Sequence, residues 1–464
     1  MKLMKSPLNV VILAAGLGTR MKSKRAKVLH RAGGLSLIEH VVASAAQITA
    51  SRNITVVLGH QSDQVKALVS PSGVRFAEQK EQKGTGHALL TCRRALASTP
   101  GLVVVLYGDC PLLAPATLQE LVRRQSASPA AATVITTRLA DPSGYGRIVF
   151  DQRGEVRAIV EHKAATPEQL AIPFINSGIY CFRADLLWKH LGKIRTDNPA
   201  HEYYLTDIVE ILARAGHRVA AMEVPNSREL LGINTRAELA EVDRIFRERK
   251  VRELMRDGVT IEKPETVTID APVRIAPDTI VEPFAQILGR TKIGEDCRIG
   301  ACSVIRDSTL AAGVEIAPFT SIADSQIETG ARIGPFARLR GGSRIGANAR
   351  IGNFVELKNT RFAAGAKANH LAYLGDAEIG ESTNIGAGTI TCNYDGVSKH
   401  RTRIGKDAFV GSNSTLVAPI DIGKGSYIGA GSVITDPVPP DALALGRARQ
   451  VVKKGWAAKR KKKQ

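Results

Sequence analysis

The stretch ARIGPFARLRGGSRIGANARIGNFVEL, residues 331–357, carries an aliphatic residue at every sixth position. Each aliphatic residue is commonly followed by Gly or Ala, which fits a tight corner in the backbone. The period extends over most of the second half of the chain, with slips of one residue, and it predicts a hexapeptide β-helix of triangular coils whose aliphatic residues point inward. The aliphatic positions are Ile275, Val281, Ile287, Ile293, Ile299, Ile305, Ile316, Ile322, Ile333, Leu339, Ile345, Ile351, Leu357, Ile379, Ile385, Ile404, Val410, Leu416, Ile422, Ile428 and Ile434.

The six-residue period is interrupted twice, between Leu357 and Ile379 and between Ile385 and Ile404. Insertions into a solenoid usually emerge as loops, often on the binding face, so we expect a loop at both places. His370 would then lie within a loop insertion, which favours a functional role over a structural one. Polar residues that do not suit a structural coil lie in or beside the interruptions: Arg340, Lys358, His370, Tyr373, Asn384, Asn393 and Tyr394.

Residues 8 to about 232 have a different rhythm, in which short apolar runs alternate with helical stretches. This alternation predicts a largely parallel sheet with helices on both faces, and ligands bind such sheets at the carboxyl ends of the strands. The expected strands are Asn9–Ala14, Ile54–Leu58, Val103–Tyr107, Thr133–Thr137 and Ile175–Phe182, and the expected helices include Leu37–Ile48 and Pro115–Gln125.

A charged segment, Thr235–Asp257, has apolar residues at helical spacing and is followed by Gly258. It predicts a helix that connects two domains. We therefore expect an α/β domain over residues 1–234, a linker helix over 235–257, and a β-helix domain with a basic tail over 258–464.

A glycine-rich string, LAAGLGTRM at residues 13–21, follows the first expected strand, and Lys27 comes soon after it. Glycines at a strand end let backbone N–H groups approach a phosphate, while Arg20 and Lys27 supply positive charge. The third glycine of the Rossmann fingerprint and the Lys-Ser/Thr pair of a P-loop are both absent. The glycines alone would also fit a plain strand-to-helix turn.

The net charge of +20 suits anionic substrates such as nucleotides and sugar phosphates. Part of this charge lies in KKGWAAKRKKK, residues 453–463, for which a solvated terminus competes with a nucleic-acid or lipid contact. Trp456 is the one aromatic residue in this run, which disfavours a stacking platform for single-stranded nucleic acid. We expect no nucleic-acid partner. The six cysteines show no CxxC spacing, and no apolar run approaches the roughly 20 residues of a membrane span. We expect a cytoplasmic protein without membrane insertion.

Further motifs follow the glycine-rich string in order: Gln79, Gly84-Thr85-Gly86-His87, Tyr107-Gly108-Asp109, Gly144-Tyr145-Gly146-Arg147, Glu161-His162-Lys163, Asn176-Ser177-Gly178 and Gly232-Ile233-Asn234. With the β-helix behind them, they resemble the family of bifunctional N-acetylglucosamine-1-phosphate uridyltransferases and glucosamine-1-phosphate acetyltransferases. The resemblance covers nearly the whole chain. It implies a Rossmann-like nucleotidyltransferase domain, a left-handed β-helix, and a homotrimer with acetyl-CoA bound between neighbouring coils. UTP and acetyl-CoA would be co-substrates, with Mg²⁺ as cofactor.

The resemblance also implies roles for residues of the first domain. Arg20 and Lys27 would hold phosphates, and Asp109 and Asn234 would coordinate Mg²⁺. Two positions depart from the family pattern, since Leu17 replaces a polar or basic residue and Ala26 replaces a proline. Residues expected at the nucleotide are Leu13, Ala14, Ala15, Gly16, Gln79, Gly84, Thr85 and Tyr107, and those expected at the acetylated sugar are Gly146, Glu161 and Asn176.

In the second domain the resemblance implies that His370 is the general base of acetyl transfer, with Glu356 as a candidate to orient it. A histidine suits this work because its ordinary pKa lies near working pH. Arg340, Lys358, Tyr373 and Asn384 would hold the sugar phosphate. The residues expected at acetyl-CoA are Ala387, Asn393, Tyr394, Ser412, Ala430 and Arg447.

Two other interpretations remain open from the sequence. One is a different sugar-nucleotide pyrophosphorylase with a non-catalytic β-helix, which the polar residues around His370 disfavour. The other is a regulatory or scaffolding protein with a degenerate transferase domain and a nucleic-acid-binding tail. The joint presence of Arg20, Lys27, Asp109 and Asn234 disfavours this second alternative.

Overall fold

The computed structural model describes residues 7–461, and the chain forms two compact units, Met1–Arg244 and Ile245–Gln464. The strands of the first unit are β1 (Leu8–Leu13), β2 (Arg31–Ala32), β3 (Leu35–Ser36), β4 (Ile54–Leu58), β5 (Arg75–Glu78), β6 (Leu102–Tyr107), β7 (Ala132–Arg138), β8 (Arg147–Phe150), β9 (Val156–Val160), β10 (Phe174–Arg183) and β11 (Val219–Glu223). The helices are α1 (Leu37–Ala45), α2 (Ser62–Val69), α3 (Thr85–Leu90), α4 (Arg93–Leu96), α5 (Pro115–Ala127), α6 (Pro167–Leu170), α7 (Ala184–His190), α8 (Asp207–Arg214), α9 (Arg236–Arg256) and α10 (Trp456–Lys461).

The main sheet of the first unit has the strand order β11-β7-β10-β6-β1-β4-β5. Neighbouring strands are parallel except β10, which runs antiparallel to both β6 and β7, and the antiparallel pair β8–β9 extends from β10. The prediction of a largely parallel sheet is therefore confirmed, and the expected strand over residues 175–182 is its antiparallel member. Strands such as β4 are buried along their whole length because apolar side chains cover both faces of the sheet.

The second unit is a three-sided parallel β-helix, and its three sheets are named faces I, II and III here. Face I comprises Thr260–Ile261, Ile280–Val281, Arg298–Ile299, Glu315–Ile316, Arg332–Ile333, Arg350–Asn353, Lys367–His370, Asn384–Ile385, Phe409–Val410, Tyr427–Ile428 and Leu443–Ala444. Face II comprises Thr268–Ile269, Gln286–Leu288, Val304–Arg306, Ser321–Ala323, Arg338–Arg340, Glu356–Lys358, Tyr373–Gly375, Ile390–Cys392, Thr415–Val417 and Val433–Ile434. Face III comprises Arg274–Ile275, Lys292–Ile293, Thr309–Leu310, Gln326–Ile327, Arg344–Ile345, Arg361–Phe362, Ala377–Ile379, Thr402–Ile404 and Ile420–Ile422.

The aliphatic residues of the six-residue period form the core of this unit. All of the predicted positions are buried, and they belong to one continuous cluster. Along face I, Ile299 pairs with Ile316 of the next coil, Ile316 pairs with Ile333, and Ile333 pairs with Ile351. Successive partners are 17 or 18 residues apart, which accounts for the one-residue slips in the sequence pattern.

The expected loop between Leu357 and Ile379 is wrong, because a complete coil occupies this segment. Phe362, Ala368 and Leu374 fill the inward positions and are fully buried. A search for Ile, Leu or Val at every sixth position misses this coil because Phe362 and Ala368 occupy two of its three inward positions. His370 is therefore the last residue of a face I strand and not part of a loop insertion.

The second interruption does contain an insertion. Thr391 takes the inward position on face II and pairs with Leu416 of the next coil. The chain then leaves the coil over residues 393–401, where Tyr394 and Lys399 form an isolated antiparallel bridge. It rejoins face III at Thr402.

The edge between faces I and II carries exposed apolar side chains at turn positions with positive φ, from 41° to 62°. The ring centroids of Phe319 and Phe336 are 5.0 Å apart, and those of Phe336 and Phe354 are 5.4 Å apart. We call this set the aromatic edge; it consists of Phe284, Phe319, Phe336, Phe354 and Leu371.

Towards its end the described chain carries the basic tail, whose residues 450–461 are exposed and finish in α10. Lys462 and Lys463 of the tail lie outside the described residues. Within residues 7–461, no helix combines the length and the apolar character needed to cross a membrane.

Candidate functional sites

A cavity of about 520 Å³ lies at the carboxyl ends of β1 and β6. This is the position where parallel α/β sheets bind ligands. Its lining includes all the residues that the sequence predicts for the nucleotide, its phosphates and the metal: Leu13, Ala14, Ala15, Gly16, Arg20, Lys27, Gln79, Gly84, Thr85, Tyr107, Asp109 and Asn234.

Close packing fixes the segment that carries Gln79 and Gly84. The Gln79 side chain is buried, and its Nε2 donates to the Gly84 carbonyl at 3.0 Å. Gly84 has φ of 102°, and a Cβ there would lie 2.6 Å from the Tyr203 carbonyl oxygen. Only glycine therefore fits at this position, immediately before helix α3.

A second cavity, of about 270 Å³, adjoins the first and shares Arg20, Tyr107, Asp109 and Asn234 with it. Its lining adds Gly146, Glu161 and Asn176, the residues predicted for the acetylated sugar. Every residue predicted for the first site thus borders one of two adjoining cavities. They meet where the phosphates and the metal are expected.

Asn176 is positioned by an irregularity in β10. The register of β10 against β7 shifts between Asn176 and Tyr180, and the Asn176 Oδ1 accepts from the Tyr180 hydroxyl at 3.1 Å and from the Gly178 N–H at 3.0 Å. Gly178 has φ of 78°, and a Cβ there would lie 2.6 Å from the Tyr107 ring. The bulge thus aims Asn176 at the cavity while glycine leaves room for Tyr107.

Two residues that the sequence did not single out lie behind Glu161. The Thr206 hydroxyl donates to Glu161 Oε1 at 3.1 Å. Burial raises the pKa of Glu161, which the Thr206 hydrogen bond partly offsets. Burial also raises the pKa of Asp207 to about 6, with a further contribution from the Glu161 charge. In the sequence, Thr206 and Asp207 give only the signal of a helix start.

Cationic side chains converge on the two residues expected to hold the metal. The Lys27 ammonium forms an ion pair with Asp109 Oδ2 and donates to Asn234 Oδ1 at 3.1 Å. Arg20 Nη2 donates to the same Asn234 oxygen at 2.8 Å. These contacts bring the predicted phosphate and metal residues into one cluster.

The donor set at Asp109 and Asn234 fits Mg²⁺. Among residues 7–461, no group of three or more His, Cys, Asp or Glu side chains is placed to hold a metal ion. Mg²⁺ does not require such a cage, since it is usually bound by one or two carboxylates with substrate phosphates and water completing its octahedron. A carboxylate and an amide oxygen beside a phosphate site satisfy that requirement.

The two departures from the family pattern have different structural contexts. Leu17 is half-exposed at the rim of the first cavity. Ala26 is buried, and its backbone N–H donates to Gln61 Oε1 at 2.7 Å. Proline, the residue expected here from the family, has no N–H and could not make this bond.

In the second unit, the cationic residues predicted for the sugar phosphate stack on face II, where Arg340 pairs with Lys358 in the next coil. Arg340 Nε donates to Glu356 Oε1 at 2.7 Å, and the Lys358 Nζ lies 3.6 Å from Asp376 Oδ2. The insertion brings a further basic residue, Lys399, whose pKa is lowered chiefly by the neighbouring Lys358.

Tyr373, Asn393 and Asp376 meet beside this cation pair. Asn393 Nδ2 donates to Asp376 Oδ2 at 2.5 Å. A Cβ at Gly375 would collide with the Tyr373 hydroxyl and would lie 2.8 Å from Asn393 Nδ2. Gly375 therefore provides the space in which Tyr373 and Asn393 approach each other.

His370 is held by a residue that the sequence did not suggest. Its Nδ1 forms a 2.8 Å hydrogen bond with Asn353 Oδ1, and the two residues are register partners on face I. Glu356, the expected partner, binds Arg340 instead. An amide oxygen accepts and cannot donate, so Nδ1 carries the hydrogen and Nε2 is left as the basic nitrogen.

The residues predicted for acetyl-CoA lie on two edges of the coil. Along the edge between faces I and II, the Asn413 N–H donates to the Ala387 carbonyl at 2.7 Å and the Gly431 N–H to the Ser412 carbonyl at 2.8 Å. Arg447 Nη1 continues this line by donating to the Ala430 carbonyl at 3.0 Å. Asn393 and Tyr394 follow face II and lie at its opposite edge. Asn384 lies on face I, in register with Lys367 and Phe409.

Comparison with known families agrees with both halves of the fold. Residues 10–174 match the MobA-like NTP transferase domain. Residues 272–307 and 324–359 match the bacterial transferase hexapeptide family, and residues 401–436 match the hexapeptide repeat of succinyl-transferase. The β-helix is thus of the hexapeptide type, as predicted, which has a left-handed coil.

Whole-chain relatives agree with this division. The chain is 61% identical to the bifunctional protein GlmU of Solibacter usitatus over 462 residues, which cover 100% of this chain and 99% of the relative. It is 52% identical to that of Koribacter versatilis, with 98% and 97% of the two chains covered. Identity to that of Brevibacillus brevis is 45%, with 99% of each chain covered. The chain belongs to the GlmU family of bifunctional proteins.

Proposed function

We propose that this protein makes UDP-N-acetylglucosamine in two steps. The second unit acetylates glucosamine 1-phosphate with acetyl-CoA, and the first unit then transfers UMP from UTP to N-acetylglucosamine 1-phosphate and releases pyrophosphate. The observation that carries the proposal is the presence, in one chain of the GlmU family, of two separate polar clusters. One gathers Arg20, Lys27, Asp109 and Asn234, and the other surrounds His370.

Uridylyl transfer needs charge neutralisation more than acid–base catalysis. A phosphate oxygen of the sugar phosphate attacks the α-phosphorus of UTP, and the bond to pyrophosphate breaks. The nucleophile is already ionised near neutral pH, so no general base is required. Arg20 and Lys27 bind and orient the polyanions, and Mg²⁺ held by Asp109 and Asn234 would neutralise further phosphate charge. Glu161 and Asn176 hold the sugar hydroxyl and acetamido groups in the second cavity.

Acetyl transfer needs a base because the reacting amine must lose a proton. The amine nitrogen attacks the thioester carbonyl carbon, and His370 Nε2 accepts the proton that the nitrogen loses. His370 returns this proton to the sulfur as the carbon–sulfur bond breaks, so coenzyme A leaves as the thiol. The Asn353 hydrogen bond to Nδ1 keeps Nε2 available for this proton. Arg340 and Lys358 hold the phosphate of the substrate on face II.

We further propose that the active assembly is a homotrimer. The residues expected at acetyl-CoA occupy both edges of face II. In a ring of three copies, an edge of one coil would lie against a face of the next coil, so acetyl-CoA would be bound between neighbouring coils. The aromatic edge, which is about half exposed at each phenylalanine, is the apolar surface that such a contact would cover.

The six cysteine thiols are all free, which supports a reducing, cytoplasmic setting.

A coupled assay with glucosamine 1-phosphate, acetyl-CoA, UTP and Mg²⁺ tests the proposal by following free thiol and pyrophosphate separately. We expect thiol release to precede pyrophosphate release. Pyrophosphate that forms only when N-acetylglucosamine 1-phosphate is supplied, with no thiol, would reduce the β-helix to a scaffold. The variant His370→Ala should abolish thiol release and leave uridylyl transfer nearly intact. Loss of both activities in a folded variant would contradict two independent sites.

A further inference from the structure

The oxygens expected to bind the metal are already hydrogen-bonded to cations of this chain. The Lys27 ammonium contacts both Asp109 Oδ2 and Asn234 Oδ1, and the Arg20 guanidinium shares the Asn234 oxygen. The other Asp109 oxygen, Oδ1, faces the Cys110 thiol at 3.7 Å. One side-chain oxygen of each residue expected to hold the metal, Asp109 Oδ2 and Asn234 Oδ1, is therefore engaged by a positively charged donor.

Packing holds Lys27 at these oxygens. The side chains of Lys27 and Asp109 are each 15% exposed, so water screens the pair only weakly. Gly18 has φ of 62°, and a Cβ there would lie 2.6 Å from the Lys27 Cβ, which shows how closely the glycine-rich loop covers the lysine stem. Val28 and Leu29, which follow Lys27 in the same short 3₁₀ turn, are buried. The lysine thus has few alternative positions within the protein.

A monovalent ammonium and a divalent cation cannot share these oxygens without strong repulsion. At contact distances between partly buried groups, like charges repel far more strongly than in bulk water. The phosphates of a nucleotide offer the ammonium another anionic partner and offer the divalent cation further oxygen ligands. Nucleotide binding would thus turn the same residues from a closed ion pair into a metal site.

We infer that Lys27 acts as a resident cation that blocks divalent-metal binding until nucleotide phosphates attract it away from Asp109 and Asn234. This role rests on the proposed uridylyl transfer and adds a second task to Lys27 besides phosphate binding. Its consequence is that free metal binds the first unit weakly, whereas metal and triphosphate bind together. The chain itself thereby sets the order in which the site is filled.

The test measures Mn²⁺ binding to the full-length protein at low ionic strength without nucleotide, with free Mn²⁺ counted by electron paramagnetic resonance. Lys27→Met keeps the aliphatic stem and removes the charge. It should bind one Mn²⁺ at least tenfold more tightly than the wild type. Lys189→Met, which removes an exposed lysine from α7, is the matched control and should resemble the wild type. The double variant Lys27→Met/Asp109→Asn should lose the gain.

Equal Mn²⁺ affinity in the wild type and Lys27→Met would overturn the inference, and so would a gain that survives in the double variant. If Lys27→Met does not fold, as judged by circular dichroism, Lys27→Gln repeats the measurement with an uncharged N–H donor in place. Because no substrate is present, the outcome is independent of the coupled assay. Failure of uridylyl transfer and failure of this inference are therefore distinguishable.

Discussion

At the scale of single residues, the proposed acetyltransferase site depends on one hydrogen bond to the ring of His370. Asn353 is the register partner of His370 in the preceding coil and holds its Nδ1. We expect Asn353→Leu to lower kcat of acetyl transfer about 10- to 100-fold, because the ring loses its fixed orientation and tautomer. The KM for acetyl-CoA should change little. Asn353→Asp, which retains an acceptor at the same place, should recover part of the rate. Equal rates in Asn353→Leu and the wild type would show that the bond is not used.

Asp207 gives a prediction about stability and pH. Its pKa of about 6 in the folded chain lies above the ordinary value of 3.8, chiefly because of burial. The folded state therefore holds the proton more tightly, and the associated stability is complete below about pH 4 and lost as pH rises through 6. Asp207→Asn cannot ionise, so we expect it to stabilise the first unit at pH 8 by about 1 kcal/mol after solvent screening, or about 2–4 °C in melting temperature.

This gain should shrink between pH 6 and pH 4, and thermal unfolding at several pH values measures it. Asp185→Asn, at the start of α7, is the control, since Asp185 is paired with Arg183 and should give no gain. A constant difference across the whole pH range would mean that the substitution at Asp207 acts by packing and not by charge.

The grouping of the first site's residues around two adjoining cavities could be predicted where those residues belong to short motifs. The glycine-rich string and Asp109 come just after strand ends, and Asn234 belongs to the motif Gly232-Ile233-Asn234. The structure brings all of them to adjoining cavities. Asn353 and Thr206 were not predictable. Each acts through one contact with a residue 17 or 45 positions away, and an asparagine or threonine in isolation gives no sign of its partner.

At the scale of elements, the sequence pattern predicts two kinds of strand well: strands with apolar residues on both faces, and the short strands of the stacked six-residue repeats. The expected strand at 54–58 coincides with β4, and the burial of the aliphatic positions follows the six-residue period. The period failed at residues 357–379 because Phe362 and Ala368 occupy core positions where the pattern requires Ile, Leu or Val. A one-residue slip on each side of that coil hid the rest of the pattern.

The coil that the sequence missed should be as important to stability as the others. Phe362 is fully buried in the β-helix core, so Phe362→Ala should cost about 3–5 kcal/mol through lost burial and a residual cavity. Because contacts in a solenoid are between neighbouring coils, the loss should appear in the unfolding of the second unit and leave uridylyl transfer intact. Ile351→Val, in the same core, should cost only about 0.5–1.5 kcal/mol. A cost below about 1 kcal/mol for Phe362→Ala would show that the coil is not tightly packed.

At the scale of the whole molecule, the two units have separate cores, and each proposed activity has its residues within one unit. A change in oligomeric state can therefore alter the proposed acetyl transfer of the second unit without altering the proposed uridylyl transfer of the first. The aromatic edge ends at Leu371, immediately after His370. A contact that covers this edge would therefore also shape the surroundings of the proposed base.

This continuity leads to a prediction about oligomeric state. Phe336 is the middle ring of the stacked phenylalanines, and Phe336→Asp would place a charge in the contact that the proposed homotrimer buries. We expect light scattering after size exclusion to show trimers of the wild type and smaller species of the variant, with acetyl transfer reduced at least tenfold and uridylyl transfer retained. Lys292→Asp, an exposed substitution on face III, should leave the trimer and both activities unchanged. If Phe336→Asp remains a trimer with full acetyl transfer, the subunit contact lies on another surface. If the wild type is a monomer with full acetyl transfer, one chain completes the site alone.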